Sequence, residues 1–235
     1  MKWIKLLLCS LMGLTCLCSY AQEFSNKGKD FWLGYGYHVR MDPAQAPANI
    51  NAQNLILYFT SDQNANVLVE IPGVGYSKTY QVIANQVTIT EAIPKTGSQD
   101  VRLTGPGLSD KGIHITSDRS IVAYAHIYNE NVSGASVLFP TNTLGKDYYS
   151  VGYTQNSNES NSNAFFFIVA TQDSTTVEIT ASAANLNGLP IGVPTRLPFK
   201  LNKGQIYNVM GTTTGTLGAD LTGSRIRSIS ATGVN

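Results

Sequence analysis

The chain has 235 residues, 43% hydrophobic and 13% charged, against roughly 25% charged in an average soluble domain. It has the apolar content to fold and lacks the charge of a disordered chain. Net charge is +1, and loss of a leader carrying Lys2 and Lys5 leaves it near −1, so there is no electrostatic footprint for nucleic acid or an anionic membrane.

Residues 1–21 read as an export signal. Lys2 and Lys5 supply a basic start, Ile4 and Leu6 to Leu17 an apolar stretch, and Ser19-Tyr20-Ala21 a small-x-small cleavage site, so the exported chain begins at Gln22. The apolar run falls short of the roughly 20 residues that span a bilayer, and no membrane span is expected. All three cysteines, Cys9, Cys16 and Cys18, lie inside this segment, which removes disulfides and thiol chemistry from the remainder. A cysteine-free exported domain fits the bacterial cell surface, outer envelope or extracellular medium, and its own core must stabilise it.

Past Gln22, short apolar or β-branched runs alternate with clusters of Asn, Gly, Ser, Thr and Asp at the spacing of an all-β sandwich or barrel. The first half predicts strands over Phe31–Tyr37, Leu55–Thr60, Val67–Ile71, Thr79–Ile83, Val87–Thr90, Gly112–Thr116 and Ile121–Ile127. The second predicts Ala135–Phe139, Tyr148–Tyr153, Ala164–Ala170, Thr176–Thr180, Arg196–Lys200, Gln205–Met210 and Arg225–Ser230. Alternation places Val67, Val69, Ile71, Val177 and Ile179 toward a core and Glu70 and Glu178 toward solvent. Ala164–Ala170, apolar at every position, reads as a central strand covered on both faces. Gly34-Tyr35-Gly36 reads as part of an edge strand, and the Asn-rich segment from Gln155 to Asn163 as an exposed loop.

The halves resemble each other. Tyr58-Phe59-Thr60-Ser61-Asp62 leading to Val67–Ile71 matches Ile168–Asp173 leading to Thr176–Ile179, and Gly112–Thr116 matches Ser224–Ser228. The expected organisation is two repeated antiparallel sandwich-like units, residues 22–140 and 141–235. The second lacks a counterpart of Ile121–Ile127 and so at least one closing strand, which predicts an exposed edge. A propeller is disfavoured because these units far exceed a blade of about 40–50 residues.

No sequence pattern assigns a catalytic, cofactor-binding or metal residue, and the binding residues stay unassigned. His38, His114 and His126 share no metal-ligand spacing, and neither a nucleophile elbow nor a phosphate-cradling loop is present. His114, between Ile113 and Ile115, is expected to face solvent, and His126 to share an aromatic patch with Tyr124 and Tyr128. Asp220 stands alone in Asp220-Leu221-Thr222-Gly223-Ser224, which suits a tight turn better than a calcium loop needing six to eight oxygens. Asp173-Ser174-Thr175-Thr176 likewise reads as a turn leading into a strand. Asn131-Val132-Ser133 and Asn158-Glu159-Ser160 are glycosylation sequons only for a eukaryotic export route. The acids mostly stand singly, unlike the carboxylate pair of a glycosidase. The strongest lead is aromatic: Trp32, Tyr35, Tyr37, Tyr148, Tyr149 and Tyr153 offer flat faces to a sugar or a protein if they are not spent on core packing.

Five segments carry a family resemblance: Gly28–Trp32; Phe139-Pro140-Thr141 with Leu144–Tyr149; Val169-Ala170-Thr171 with Asp173 and Thr175–Ile179; Leu201–Tyr207; and Asp220–Ser224. Together they resemble the N-terminal domain family of the IgG-Fc-binding protein. That resemblance implies a non-catalytic extracellular binding, adhesion or surface-structural module, and the expected partner is an extracellular protein or glycan ligand. No Fc-contacting residue carries over to a position here. The alternative is a secreted carbohydrate-binding module accessory to glycan degradation.

Overall fold

Alternating burial along the strands builds the architecture. In a computed structural model that describes residues 25–41, 53–129, 133–156 and 161–229, Val67, Val69 and Ile71 are fully buried while Leu68 and Glu70 are partly exposed. The export signal, the Asn158–Ser160 sequon, most of the Asn131–Ser133 sequon and Ser230 lie outside the described residues. Every pairing between strands among the described residues is antiparallel, the isolated bridges Tyr35–Arg102 and Ala181–Ile191 being parallel, and the protein is all-β.

The first half contributes β1 (Lys27–Leu33), β2 (Asn54–Thr60), β3 (Ala65–Ile71), β4 (Tyr76–Val82), β5 (Val87–Ile89), β6 (Gly107–Ser109), β7 (Ile113–Tyr128) and β8 (Ser133–Val137). Gly112–Thr116 and Ile121–Ile127, expected as two strands, belong to a single 16-residue strand, β7. Its beginning pairs with β3 and β1, and its end with β2 and β8. Ile113, Ile115, Ile121 and Ala123 all point into the same core, while Asp118, Arg119 and Ser120 are exposed where β7 passes from one set of partners to the other. Together with Phe31, Leu55, Leu57, Phe59 and Ile71 they form the larger apolar core.

The second half contributes β9 (Asp147–Tyr149), β10 (Gln155–Asn156), β11 (Phe165–Val169), β12 (Val177–Thr180), β13 (Thr195–Arg196), β14 (Ile206–Met210), β15 (Thr213–Thr214), β16 (Leu217–Gly218) and β17 (Arg225–Ser228). The sheet order β13-β12-β17-β9 repeats that of β4, β3, the beginning of β7 and β1. Likewise β11 pairs with β14 as β2 pairs with β5. The internal repeat read from sequence is therefore also a repeat of topology. A smaller core surrounds Val177, Ile179, Leu201, Val209 and Ile226.

Three expectations need correction. β11 is not a central strand: among the described residues it pairs with β14 alone. Its continuous apolarity has another cause, because Phe166 and Ile168 pack against the smaller core while Phe165 and Phe167 lie over Gly34 and Gly36 of the first half. A Cβ at Gly34 or Gly36 would come within 2.8 Å of Ile206 or 2.9 Å of Phe165, so these glycines permit close approach between the halves and are no edge strand. The Asn-rich segment is not simply an exposed loop. Gln155–Asn156 pair with β16, Ser162 is buried, and the Asn161 carbonyl accepts a hydrogen bond from the Tyr37 hydroxyl at 2.7 Å.

The halves are stitched together in a way their sequences did not announce. β6, from the first half, joins β14 in the second half's sheet. Beside it the Gly112 N–H donates to the Gly204 carbonyl at 3.0 Å, and the Gln205 side-chain amide donates to Asp110 at 2.8 Å. A Cβ on Gly112 would stand 2.2 Å from that carbonyl oxygen.

Candidate functional site

Between β1 and the end of β11 runs a groove of about 880 Å³. β1 supplies one wall through Lys27, Lys29, Asp30 and Trp32. The opposite wall is the end of β11, Ile168 to Ala170, and the buried side chains of Val177 and Ile226 lie behind the groove floor. The turn after Pro140 and the segment Leu144–Lys146 close one side, and Lys203 projects from the turn before β14. Lys27, Lys29, Lys146 and Lys203 line the groove together with one carboxylate, Asp30; Lys27 Nζ also pairs with Asp62 at 3.5 Å, and Lys29 Nζ donates to the Asp118 carbonyl at 2.9 Å. The lining is thus cationic around an apolar floor.

Asp30 is held in place by several groups. His114 Nε2 lies 2.9 Å from its Oδ2, and the Thr141 hydroxyl donates to its Oδ1. Burial pushes the Asp30 carboxyl up, but the Thr141 and His114 hydrogen bonds and the charges of His114 and Lys203 outweigh it and hold the group below its ordinary value. The indole of Trp32 stacks on the His114 ring with centroids 4.0 Å apart, and Lys203 Nζ stands 5.7 Å from the Trp32 centroid, within cation–π range. His114 therefore does not face solvent as its alternation implied. The Trp32 ring and the Asp30 carboxylate cover it, and its side chain is 13% exposed.

The remaining aromatic leads divide. Tyr35 and Tyr37 are spent on packing; burial lifts the Tyr35 phenol to about 12, and its hydroxyl donates to the Gln53 carbonyl. Tyr148, Tyr149 and Tyr153 remain exposed, Tyr153 by 68%. His126 stacks on Tyr128 with centroids 4.9 Å apart and lies 2.6 Å from the Ser133 hydroxyl, as an aromatic patch requires. Its other ring nitrogen faces the Tyr58 hydroxyl at 3.2 Å, not a carboxylate of the kind that orients a catalytic imidazole. The two turn motifs do what turns need. The Asp220 carboxylate accepts from the Thr222 N–H at 2.8 Å, Gly223 has φ +84°, and Asp173 accepts from the Lys203 N–H at 2.9 Å, which fixes the base of the groove's lysine. Among the described residues no cluster of three or more His, Cys, Asp or Glu is assembled.

Residues 134–235 match the family model described as IgGFc binding protein. The resemblance drawn from sequence is thereby shown over the second half, where four of its five segments lie, and the IgGFc binding family is one of binding proteins. Gly28–Trp32, the fifth, precedes the matched span. It forms the groove's opposite wall, so the matched residues and the segment before them meet across the groove. No curated protein and no solved structure matches the chain. Among the described residues no helix is long and apolar enough to cross a membrane.

Sequence reasoning missed the groove. Its walls come from residues more than a hundred positions apart, such as Trp32 and Lys203, and each looks like ordinary strand or turn chemistry alone. The one available signal was the repeat, in which the strand paired to β2 has no counterpart beside β11 among the described residues.

Proposed function

We propose that the chain is a non-catalytic module, exported to the cell surface or the surrounding medium, that binds an extracellular protein through the groove between β1 and β11. Units 22–140 and 141–235 act together in this reading, because each supplies one wall. The observation that carries it is the joining of the partly exposed Ile168 and Val169 with four lysines in one groove: a polar rim around an apolar centre is the anatomy of a protein contact. The IgGFc binding match supports a binding role, and host mucus or other extracellular proteins are the partner class. The test is capture from mucus and serum followed by mass spectrometry, comparing the chain with a Lys29→Glu/Lys203→Glu variant of equal thermal stability. Proteins retained by the first and lost by the second are expected; identical capture by both overturns the groove as the site.

A carbohydrate-binding role is favoured by one observation, the exposure of Tyr148, Tyr149 and Tyr153. It predicts saturable glycan-array signals that vanish in Tyr153→Ala and persist in the lysine variant.

A further inference from the structure

In the first half, β5, β2, the end of β7 and β8 lie side by side in that order. Leu57, Phe59, Ile121 and Ala123 turn inward and are fully buried, so the alternate residues turn outward, and residues opposite each other on paired strands share that face. Tyr58 thus lies between Ile89 and Tyr124, and Ala135 lies beside His126. Among the described residues, the outward positions of these four strands include no Asp, Glu, Lys or Arg. Val87 and Ile89 are 63% and 58% exposed and Tyr124 39%. The rings are held in place before any ligand arrives. His126 lies 3.2 Å from the Tyr58 hydroxyl through Nδ1 and 2.6 Å from the Ser133 hydroxyl through Nε2, and its ring stacks on Tyr128. Rings fixed in this way lose little freedom on binding.

We propose that this outer face binds an uncharged, β-1,4-linked glycan with equatorial hydroxyls, at a site separate from the groove and from Tyr148, Tyr149 and Tyr153. Size selects against a protein partner. Four strands about 4.8 Å apart and the stretch Val122–Tyr128, rising about 3.4 Å per residue, give a face of roughly 20 by 14 Å, or about 300 Å². A stable protein interface takes about 800 Å² from each partner, whereas a patch of about 300 Å² suits a short oligosaccharide. The face also ends at charge, because Lys27 stands opposite Val122 and pairs with Asp62. Charge selects among glycans: with no ionised side chain on the face, a sulfated, uronic or amino sugar would lose hydration without gaining a partner. Chemistry selects the configuration. A hexose with equatorial hydroxyls turns its C–H bonds to the two flat sides of the ring and its hydroxyls to the rim. Tyrosine and imidazole rings offer flat faces to the first and polar tips to the second. Tyr124, His126 and Tyr128 recur about every 7 Å along one strand, a row of rings for a chain of rings.

The test titrates the full chain by calorimetry with β-1,4-linked hexasaccharides of glucose, of N-acetylglucosamine and, as the charged counterpart, of glucuronate. Hydroxyl-radical footprinting reads Tyr58, Tyr124 and Tyr128 in the free and the loaded chain. A neutral hexasaccharide is expected to bind and protect these tyrosines, and the glucuronate form to bind about tenfold or more weakly. Tyr124→Ala is expected to weaken binding by a similar factor and Tyr124→Phe, which keeps the ring, to retain it. Ala135→Arg, at an exposed position beside His126, places a long charged side chain over the face without touching the core and is expected to abolish binding. Lys29→Glu/Lys203→Glu is expected to bind the glycan unchanged, so failure of the groove reading and failure of this site are told apart. Failure of both neutral hexasaccharides to bind overturns the ligand class. Unchanged binding in Tyr124→Ala and Ala135→Arg overturns the site. Tyrosines already shielded in the free chain would mean that the chain covers its own face, and self-association or serum-protein capture abolished by Ala135→Arg would make it a protein interface; either overturns the proposal.

Discussion

The two halves use the same strand order to different ends. In the first, β7 runs through an exposed bend at Asp118–Ser120 and closes the edge of β2, so Leu55, Leu57 and Phe59 are fully buried. In the second, β17 pairs with β12 and β9, the edge of β11 stays open among the described residues, and Ile226 keeps 9% exposure at the groove. A sheet edge without a partner leaves unpaired backbone groups and uncovered apolar side chains. What closes one core thus leaves the other with an open edge among the described residues.

If that contrast is right, truncation should cost more in the first half. Ile115→Ala, at a fully buried site in β7, is expected to cost about 4 kcal/mol, against about 2 kcal/mol for Ile226→Ala beside the groove, where the surroundings can relax or admit water. Chemical denaturation of both variants measures this, and equal losses would break the comparison. A smaller effect separates the ion pairs. Arg102 and Asp100 pair at 2.7 Å with side chains only 12% and 25% exposed, so Arg102→Ala, which strands a half-buried carboxylate, is expected to cost about 2 kcal/mol. Arg225 grips Asp147 with two hydrogen bonds on an exposed face, and Arg225→Ala should leave the denaturation midpoint nearly unmoved.

The smallest effect is on pH dependence. Burial pushes the Asp100 carboxyl up, but the hydrogen bonds and charge of Arg102 outweigh it and hold the group below its ordinary 3.8, as the Thr141 and His114 contacts do for Asp30. Carboxyls ionised more firmly in the folded state stabilise it fully above that ordinary value and lose their contribution as pH falls through the lower folded value. A melting series across that range should show the loss in the parent chain and a shallower slope in Asp100→Asn. An unchanged slope would mean that the Arg102 pair does not set the acid response of the first half.

The all-β class, the core faces of β3 and β12 and the turn at Asp220 were legible because each depends on neighbours close in the chain. A period of two, a carboxylate reaching a backbone N–H two residues on, and a glycine at positive φ are local facts. Misreadings arose where a distant partner decided the outcome. Alternation placed His114 outward correctly, but an outward position on a strand becomes covered when Trp32 of the neighbouring strand stacks on it. An apolar run such as Phe165–Val169 says that both faces are covered, yet it does not say whether both edges are paired, since edge pairing is a backbone property without a side-chain signature.

The sequence by itself therefore determined the kind of elements, their inward faces and their duplication, through side-chain size, polarity and spacing. Only the tertiary structure decided that β6 crosses into the other half, that Gly34 and Gly36 lie beneath Phe165 and Phe167, and that four lysines line the groove between β1 and β11. Those outcomes rest on strand pairing and close packing between residues far apart in the chain, and such contacts depend on where the backbone goes more than on what any one residue is.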